Sequence, residues 1–352
     1  MWSTGVGPVG NLVAQGANTE GERVVLADFA DGTEAGLGEV VTEALRVDLQ
    51  ESAVLSLVPP AQVAEAMARM GLPEGTEVTS ERAREVAIRD GLKAIIQGEV
   101  GAVGSGYLLT ASIVEPSRGE VMASFRADAE DDDELLGALD RLSTDIREKA
   151  GESLRVIRAG PGLEEVTTSS LEALRLYAEA VEMADRGQEM ETIPLLEEAL
   201  RLDPEFAMAH RKLSAVLGNL GIQPTRMRAA ATRAYELRDR LTEREWGLAE
   251  AYYLLRVENN PDRAIEAWQR VLNGYPSDEG ARNNIGAAAL MVGRPADAVQ
   301  ALRPLFAEGG RPSPLNYDNF IRALWRVGER DEARLTPKGS SPSFPTAVRR
   351  SR

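Results

Sequence analysis

Residues 245–278 read EWGLAEAYYLLRVENNPDRAIEAWQRVLNGYPSD, and this stretch decides the fold. Leu248 and Leu255 precede Asn259 at helical spacing, Ala264 and Trp268 follow it at helical spacing, and Pro276 closes the unit. Moving outward in both directions, turn residues of the same kind stand at Gly187, Gly221, Asn259, Gly293 and Gly328. They are separated by 34, 38, 34 and 35 residues. Two short helices repeated at such a period cannot bury their apolar faces alone, so neighbouring pairs stack into a curved solenoid. The inner face of such an array holds other proteins or peptides. A binding protein is therefore the starting expectation, and an enzyme would need a catalytic constellation to displace it.

A period near 34 built from two helices is the tetratricopeptide signature. Pro204 closes a unit at 173–206 with Ala180, Met183, Leu196 and Ala199 at its packing positions. The next unit opens at Ala207 and carries Leu213, Leu217 and Gly221; extra residues from Arg238 to Glu245 account for the 38-residue step. A unit from Glu279 has Ile285, Gly286, Gly293, Ala298 and Leu302. The fifth has Tyr317, Phe320, Leu324, Gly328 and Ala333, and stops near Leu335 because Pro337, Gly339 and Pro342 forbid further helix. The predicted repeat region is 169–335, about four and a half units, followed by a basic disordered tail at 336–352. That tail also reads as out-of-frame sequence after an interrupted repeat. Either way the solenoid would lack its polar capping helix and leave an apolar end exposed.

Before the repeats, residues 22–158 read as a compact α+β domain. Val24 to Phe29 is a buried first strand. Thr33 caps a predicted helix from Glu34 to Gln50, with Leu37, Val41, Leu45 and Leu49 on one face. A short strand from Ala53 to Val58 ends at Pro59-Pro60, and helices follow at about 61–70 and 80–90. Three strand-like runs, 94–103, 107–115 and 120–127, are separated by glycine and proline turns, with Ile113, Val121 and Phe125 in partial alternation. A helix from about Asp133 to Leu154 closes the domain, capped by the acidic run at Asp131. Gly160-Pro161-Gly162 marks a linker over 159–168, and Ser169-x-x-Glu172 reads as a capping box opening the first repeat. The fold class expected is an α+β amino-terminal domain followed by an all-α tetratricopeptide solenoid.

The totals narrow the function classes. Of 352 residues, 43% are hydrophobic and 27% charged, which is ordinary for a globular protein, while aromatics are only 5%. The net charge of −16 repels phosphate backbones, so nucleic acid is not an expected partner. The chain has no cysteine, which removes disulfides, thiolate metal sites and cysteine nucleophiles. With His210 the only histidine, a histidine metal site or serine hydrolase triad would depend on that single residue. No window carries the ~20 apolar residues a membrane helix needs. Residues 1–21 have no basic leader and no apolar core region, so they read as a disordered leader and not a signal peptide.

Val24 to Phe29, Thr42-Glu43-Ala44-Leu45 and Ala94-Ile95-Ile96-Gln97-Gly98-Glu99-Val100 together resemble the TolB amino-terminal-like domain. The joint at Thr167-Thr168-Ser169-Ser170-Leu171-Glu172-Ala173-Leu174 and the insertion at Tyr235 to Glu245 resemble those found where that domain meets tetratricopeptide repeats. The resemblance covers about Arg23 to Arg334. It implies a place on the extracytoplasmic side of the inner membrane, in membrane-anchored bacterial serine/threonine kinases and transcriptional regulators. Neither a kinase nor a winged-helix domain precedes the region here, so no catalytic residue carries over. The resemblance implies a sensor or scaffold half: a stand-alone product, a split gene or a truncated gene model. A kinase or regulator encoded separately is then the implied partner.

Gly5-Val6-Gly7-Pro8-Val9-Gly10 matches GxGxxG, but only four residues precede it and Pro8 removes a donor from any phosphate cradle. Asp131 to Glu134 reads as a solvated helix cap, His210 as a packed or exposed repeat residue, and Asp28 and Asp31 as structural. No catalytic, metal or cofactor-binding residues are assigned, and no cofactor is expected. The remaining candidate is the groove. The inward-facing positions that tetratricopeptide units imply select Arg211, Asn219, Trp246, Tyr253, Arg256, Asn283, Arg322 and Trp325. Arginine, asparagine and aromatics there suit recognition of peptide backbone and carboxylates. The lysine and asparagine pattern of the carboxylate-clamp repeats that hold chaperone tails is not reproduced. The plainer alternative is an ordinary polar helix face, or contact with the preceding domain. The function expected is protein or peptide binding without catalysis.

Overall fold

The computed structural model describes residues 22–336 apart from Ala53, Glu74, 158–161, 164–166, Arg186 and 307–313. The leader with its glycine motif and most of the basic tail lie outside the described residues.

An amino-terminal α+β part comes first. Its strands are β1 (Glu22–Leu26), β2 (Ala30–Gly32), β3 (Leu55–Leu57), β4 (Ala94–Val103), β5 (Gly106–Glu115) and β6 (Glu120–Ala129), and its helices are α1 (Gly38–Leu49), α2 (Pro60–Arg69), α3 (Ser80–Arg89) and α4 (Asp132–Ala150). The sheet order is β3-β1-β4-β5-β6, with β2 also pairing β4. β1 runs parallel to β3 and β4, whereas β4, β5 and β6 form an antiparallel meander. Alternation in β1 explains the layers. Val24 and Leu26 point into the main core with α1 and α4, while Val25 and Ala27 pack with α2 and α3 on the opposite face. The Phe29 ring packs against Gly98, where an added Cβ would stand 2.3 Å from the ring and 2.2 Å from the Thr110 carbonyl oxygen.

Several boundaries differ from the sequence reading for identifiable reasons. The first helix begins at Gly38 and not Glu34, because Asp31 turns the chain: its carboxylate accepts from the Thr33 and Gly38 amides at 2.7 and 2.8 Å. The last helix of the domain stops at Ala150, where Gly151 takes a left-handed φ of 119°; a short α5 (Leu154–Ile157) follows. Val121 does not share a face with Ile113 and Phe125. A bulge beside Ile113 and Val114 shifts the ladder, so Val121 pairs Val114 and is exposed.

Helix pairs fill the rest: α6 (Leu171–Asp185) with α7 (Glu189–Leu202), α8 (Ala207–Leu220) with α9 (Pro224–Glu236), and α10 (Glu243–Arg256) with α11 (Pro261–Gly274). Then come α12 (Glu279–Met291) with α13 (Pro295–Leu302), and α14 (Pro314–Val327) with α15 (Arg330–Leu335). Every predicted turn residue has positive φ, from 52° at Asn259 to 92° at Gly328. Close helix crossings rest on small residues: a Cβ at Gly286 would meet Leu302 at 2.6 Å. The insertion forms a single 3-10 turn at Arg238–Arg240, and Thr242 then caps α10 by accepting from the Glu245 amide at 3.2 Å. Ser170, not Ser169, caps α6, accepting from the Ala173 amide at 3.2 Å; Glu172 pairs Arg175 instead of closing a box.

One hydrophobic cluster runs without a break from the sheet through α1 and α4 into α6, α7 and α8. Val40, Val41, Ala44, Leu45 and Leu49 of α1 are fully buried, and so are Ala173, Leu174 and Ala180 of α6. Within residues 159–168, Leu163, Thr167 and Thr168 are buried as well, and the Leu163 amide donates to Asp140 at 3.0 Å. The later repeats have their own cores, one around Trp268 and one around Phe320.

Candidate functional site

The eight groove candidates separate into groups according to what each side chain touches. Arg211, on α8, is locked: its Nε lies 2.6 Å from Glu245 at the start of α10, with both side chains nearly buried. Burial works against the Arg211 charge, yet the surrounding groups together raise its pKa, the Glu245 carboxylate foremost among them. Asn283 accepts from Asn319 at 2.9 Å, which joins α12 to α14 through two buried amides. Asn219 donates to Glu189 at 2.7 Å, from α8 to α7. Trp246 is half-buried against the main core.

The other four remain nearer the surface. Tyr253 stacks on Tyr235 with ring centroids 4.3 Å apart. Its neighbour one turn on, Arg256, lays its guanidinium over Gly218, where a Cβ would come within 3.3 Å. The Arg256 Nε is buried with no hydrogen-bond partner among the described residues. Arg322 pairs with Asp318 on its own helix. Trp325 is 46% exposed, with the Arg330 guanidinium 5.8 Å from its ring centre. The structure therefore brings Arg211 to Glu245 and Arg256 to Gly218, and leaves Arg322 and Trp325 apart at the far units.

Sequence reasoning missed a polar junction between the α+β part and the third and fourth repeats. Arg244, at the start of α10, holds Asp278 at 2.7 Å, Glu245 at 2.8 Å and the Gln50 carbonyl oxygen Oε1 at 3.3 Å. Tyr275 donates its hydroxyl to Glu51 Oε2 at 3.1 Å. Farther along, Gln62 of α2 donates to Glu279 at 2.6 Å and accepts from Arg23. Burial pushes the Glu51 carboxyl up to about 7, against the pull of Arg244. Burial also raises Tyr275, together with the Glu51 charge. For Arg244 burial acts the other way and is outweighed by Asp278 and Glu245, so its pKa rises. Beside this junction Arg147 is nearly buried between Glu152 at 2.8 Å and Asp48 at 3.2 Å. The partial signal in sequence was the insertion itself; nothing local links Glu51 to a tyrosine 224 residues away.

The side chains weighed singly have local roles. Asp28 accepts from the Val78 amide at 2.6 Å. Asp131 accepts from the Glu134 amide at 3.2 Å. His210 Nε2 meets the Pro204 carbonyl at 3.0 Å, and burial lowers its pKa. Among the described residues no three His, Cys, Asp or Glu side chains gather where they could hold a metal ion. No described helix is long and apolar enough to cross a membrane.

No family model matches this chain, and no curated protein matches it. Solved structures overlap parts of it. The LpoB C-terminal domain from Escherichia coli is 19% identical over 32% of this chain and 84% of that one, with a TM-score of 0.30. MamA is 18% identical over 47% of this chain and 87% of its own, with a TM-score of 0.29. The PelC dodecamer from Paraburkholderia phytofirmans is 16% identical over 32% of this chain and 74% of that one, with a TM-score of 0.22. Similarity at these scores carries no argument about activity or partners. What the fold itself defines is an α+β unit continued by a helical repeat region.

Proposed function

We propose that this chain is a non-enzymatic interaction protein: a TolB amino-terminal-like domain continued by tetratricopeptide units that take up a protein or peptide. The observation that carries the reading is Arg256. Its buried Nε–H has no acceptor among the described residues, its guanidinium rests on Gly218, and the stacked Tyr235–Tyr253 pair belongs to the same helix pairs. A buried donor left unmet is costly, and a peptide carbonyl or carboxylate supplies the missing acceptor. Binding of the purified chain to an immobilised panel of acidic and neutral peptides tests this. Wild type retains acidic peptides, and Arg256→Ala loses them. Equal binding by wild type and variant would refute the groove. Arg211 is a poor probe, because a carboxylate placed there would face Glu245. Turnover of common hydrolase or transferase substrates that tracks the purified protein would refute the non-enzymatic reading.

The resemblance in the joint and the insertion supports a second reading: the chain is the regulatory half of a serine/threonine kinase or regulator encoded separately. It would then act on the extracytoplasmic side of the inner membrane. A neighbouring reading frame encoding a kinase and a membrane helix supports it, and an unrelated neighbour counts against it.

A further inference from the structure

We propose that Glu51, Arg244 and Tyr275 form a proton-controlled latch that holds the third and fourth repeats against the α+β domain, closed when Glu51 is protonated and released when it ionises.

The geometry supplies the argument. The amino-terminal part meets the repeats in two chemically different ways. Against α6, α7 and α8 it shares an apolar core. Beyond Trp246 and Ala249 of α10, which still belong to that core, its contacts are polar: Gln50 with Arg244, Glu51 with Tyr275, and Gln62 with Glu279. An apolar contact resists separation at every pH, whereas a polar one depends on its charge balance. The groups facing Glu51 are Arg244, Thr242, Glu245 and Tyr275 from the repeats, with Glu243 and Asp278 beside them and Arg147 behind, from α4. Arg211 and Arg244 are already matched by Glu245 and Asp278, two cations with two carboxylates. Arg147 is matched by Asp48 and Glu152. A charged Glu51 is therefore a surplus buried anion. Its Oε1 is buried with no hydrogen-bond partner among the described residues, and the neutral hydroxyls of Tyr275, at 3.1 Å from Oε2, and Thr242 are what support the carboxylate. Proton uptake removes the surplus charge and leaves the Tyr275 hydrogen bond in place.

The direction follows from linkage. The carboxyl is held at about 7 in the closed form and returns toward its ordinary 4.5 when the junction opens to water. Closure is strongest below pH 4.5 and weakens as pH rises through about 7. Between pH 6 and pH 8 the closing equilibrium falls about tenfold. His210, the only histidine, does not confuse the readout: it bonds Pro204 away from the junction, and its pKa is lowered.

Hydrogen exchange of the full chain at pH 6 and pH 8, corrected for intrinsic rates, tests the latch. Peptides covering 242–245 and 275–279 lose about tenfold in protection at pH 8, while peptides covering α6 do not change. Glu51→Gln, neutral at both values, keeps the pH 6 protection throughout. Tyr275→Phe removes the donor to the ionised carboxyl and moves the midpoint to higher pH. Equal corrected protection of wild type at the two pH values overturns the proposal. So does a Glu51→Gln protein that still opens at pH 8. If Glu51→Gln fails to fold, the Tyr275→Phe midpoint decides: a midpoint that stays or falls overturns it.

Discussion

Leu174→Ala is a sharp test of whether the repeats and the α+β part are one packed body. Leu174 sits on α6, fully buried, in the same apolar cluster as Leu45 and Leu49 of α1 and Ile96 of β4. The truncation removes three carbons, worth about 2.4 kcal/mol at about 0.8 kcal/mol per buried CH2, and the cavity term brings the expected loss to roughly 3–4 kcal/mol. Urea unfolding followed by tryptophan fluorescence reports mainly the repeats, because three of the four tryptophans, Trp246, Trp268 and Trp325, lie there. Hydrogen exchange of β4 reports the sheet. With a shared core the urea midpoint falls, and the slowest amides of Ala94–Val100 exchange faster by a factor reflecting the same free energy. If fluorescence shifts and β4 protection stays at its wild-type value, the two parts unfold independently and the shared-core argument is wrong.

Other perturbations address single contacts. Arg147→Leu strands the Glu152 and Asp48 carboxylates in a buried site, at a cost of about 3–5 kcal/mol near neutral pH. The deficit should shrink at acid pH as Asp48, whose carboxyl burial already pushes up, takes up its proton, and thermal melts at pH 5 and 8 measure it; a pH-independent deficit refutes the cause. Gly98→Ala drives a methyl into the Thr110 carbonyl and the Phe29 ring, costing roughly 1–3 kcal/mol or more; unchanged chemical stability would show that Phe29 moves aside freely. In a double-mutant cycle, Arg211→Ala and Glu245→Ala each destabilise more than their share of the pair, giving a coupling of about 1–3 kcal/mol; additivity would mean that the ion pair contributes little. Trp325→Ala, half exposed, should change stability by less than about 0.5 kcal/mol, a value a urea titration can check.

Glycine and helical periodicity made the repeats legible. A turn residue with positive φ is chemically conspicuous, and Gly187, Gly221, Asn259, Gly293 and Gly328 all take that conformation. The strands were legible for the same local reason: Gly104 and Gly119 punctuate apolar runs, and both have positive φ. The start of α1 was misread because the Asp31 carboxylate captures the Gly38 amide seven residues on, a contact that apolar spacing does not encode. Val121 was misread because one bulge reverses the alternation.

The candidate face was only partly legible. Repeat periodicity selects Arg211, Asn219 and Asn283 by position, but not whether another part of the chain already occupies their hydrogen bonds. Glu245, Glu189 and Asn319 do so here. The sequence alone determined the repeat period, the order of the main elements apart from β2 and α5, and the absence of thiol or histidine-cluster chemistry, because those depend on local residue type and spacing. Tertiary structure alone decided that Gln50, Glu51 and Gln62 meet Arg244, Tyr275 and Glu279. Those partners lie 194 to 224 residues apart in the chain, and the packing of the intervening helix pairs on one another is what brings them within hydrogen-bonding distance.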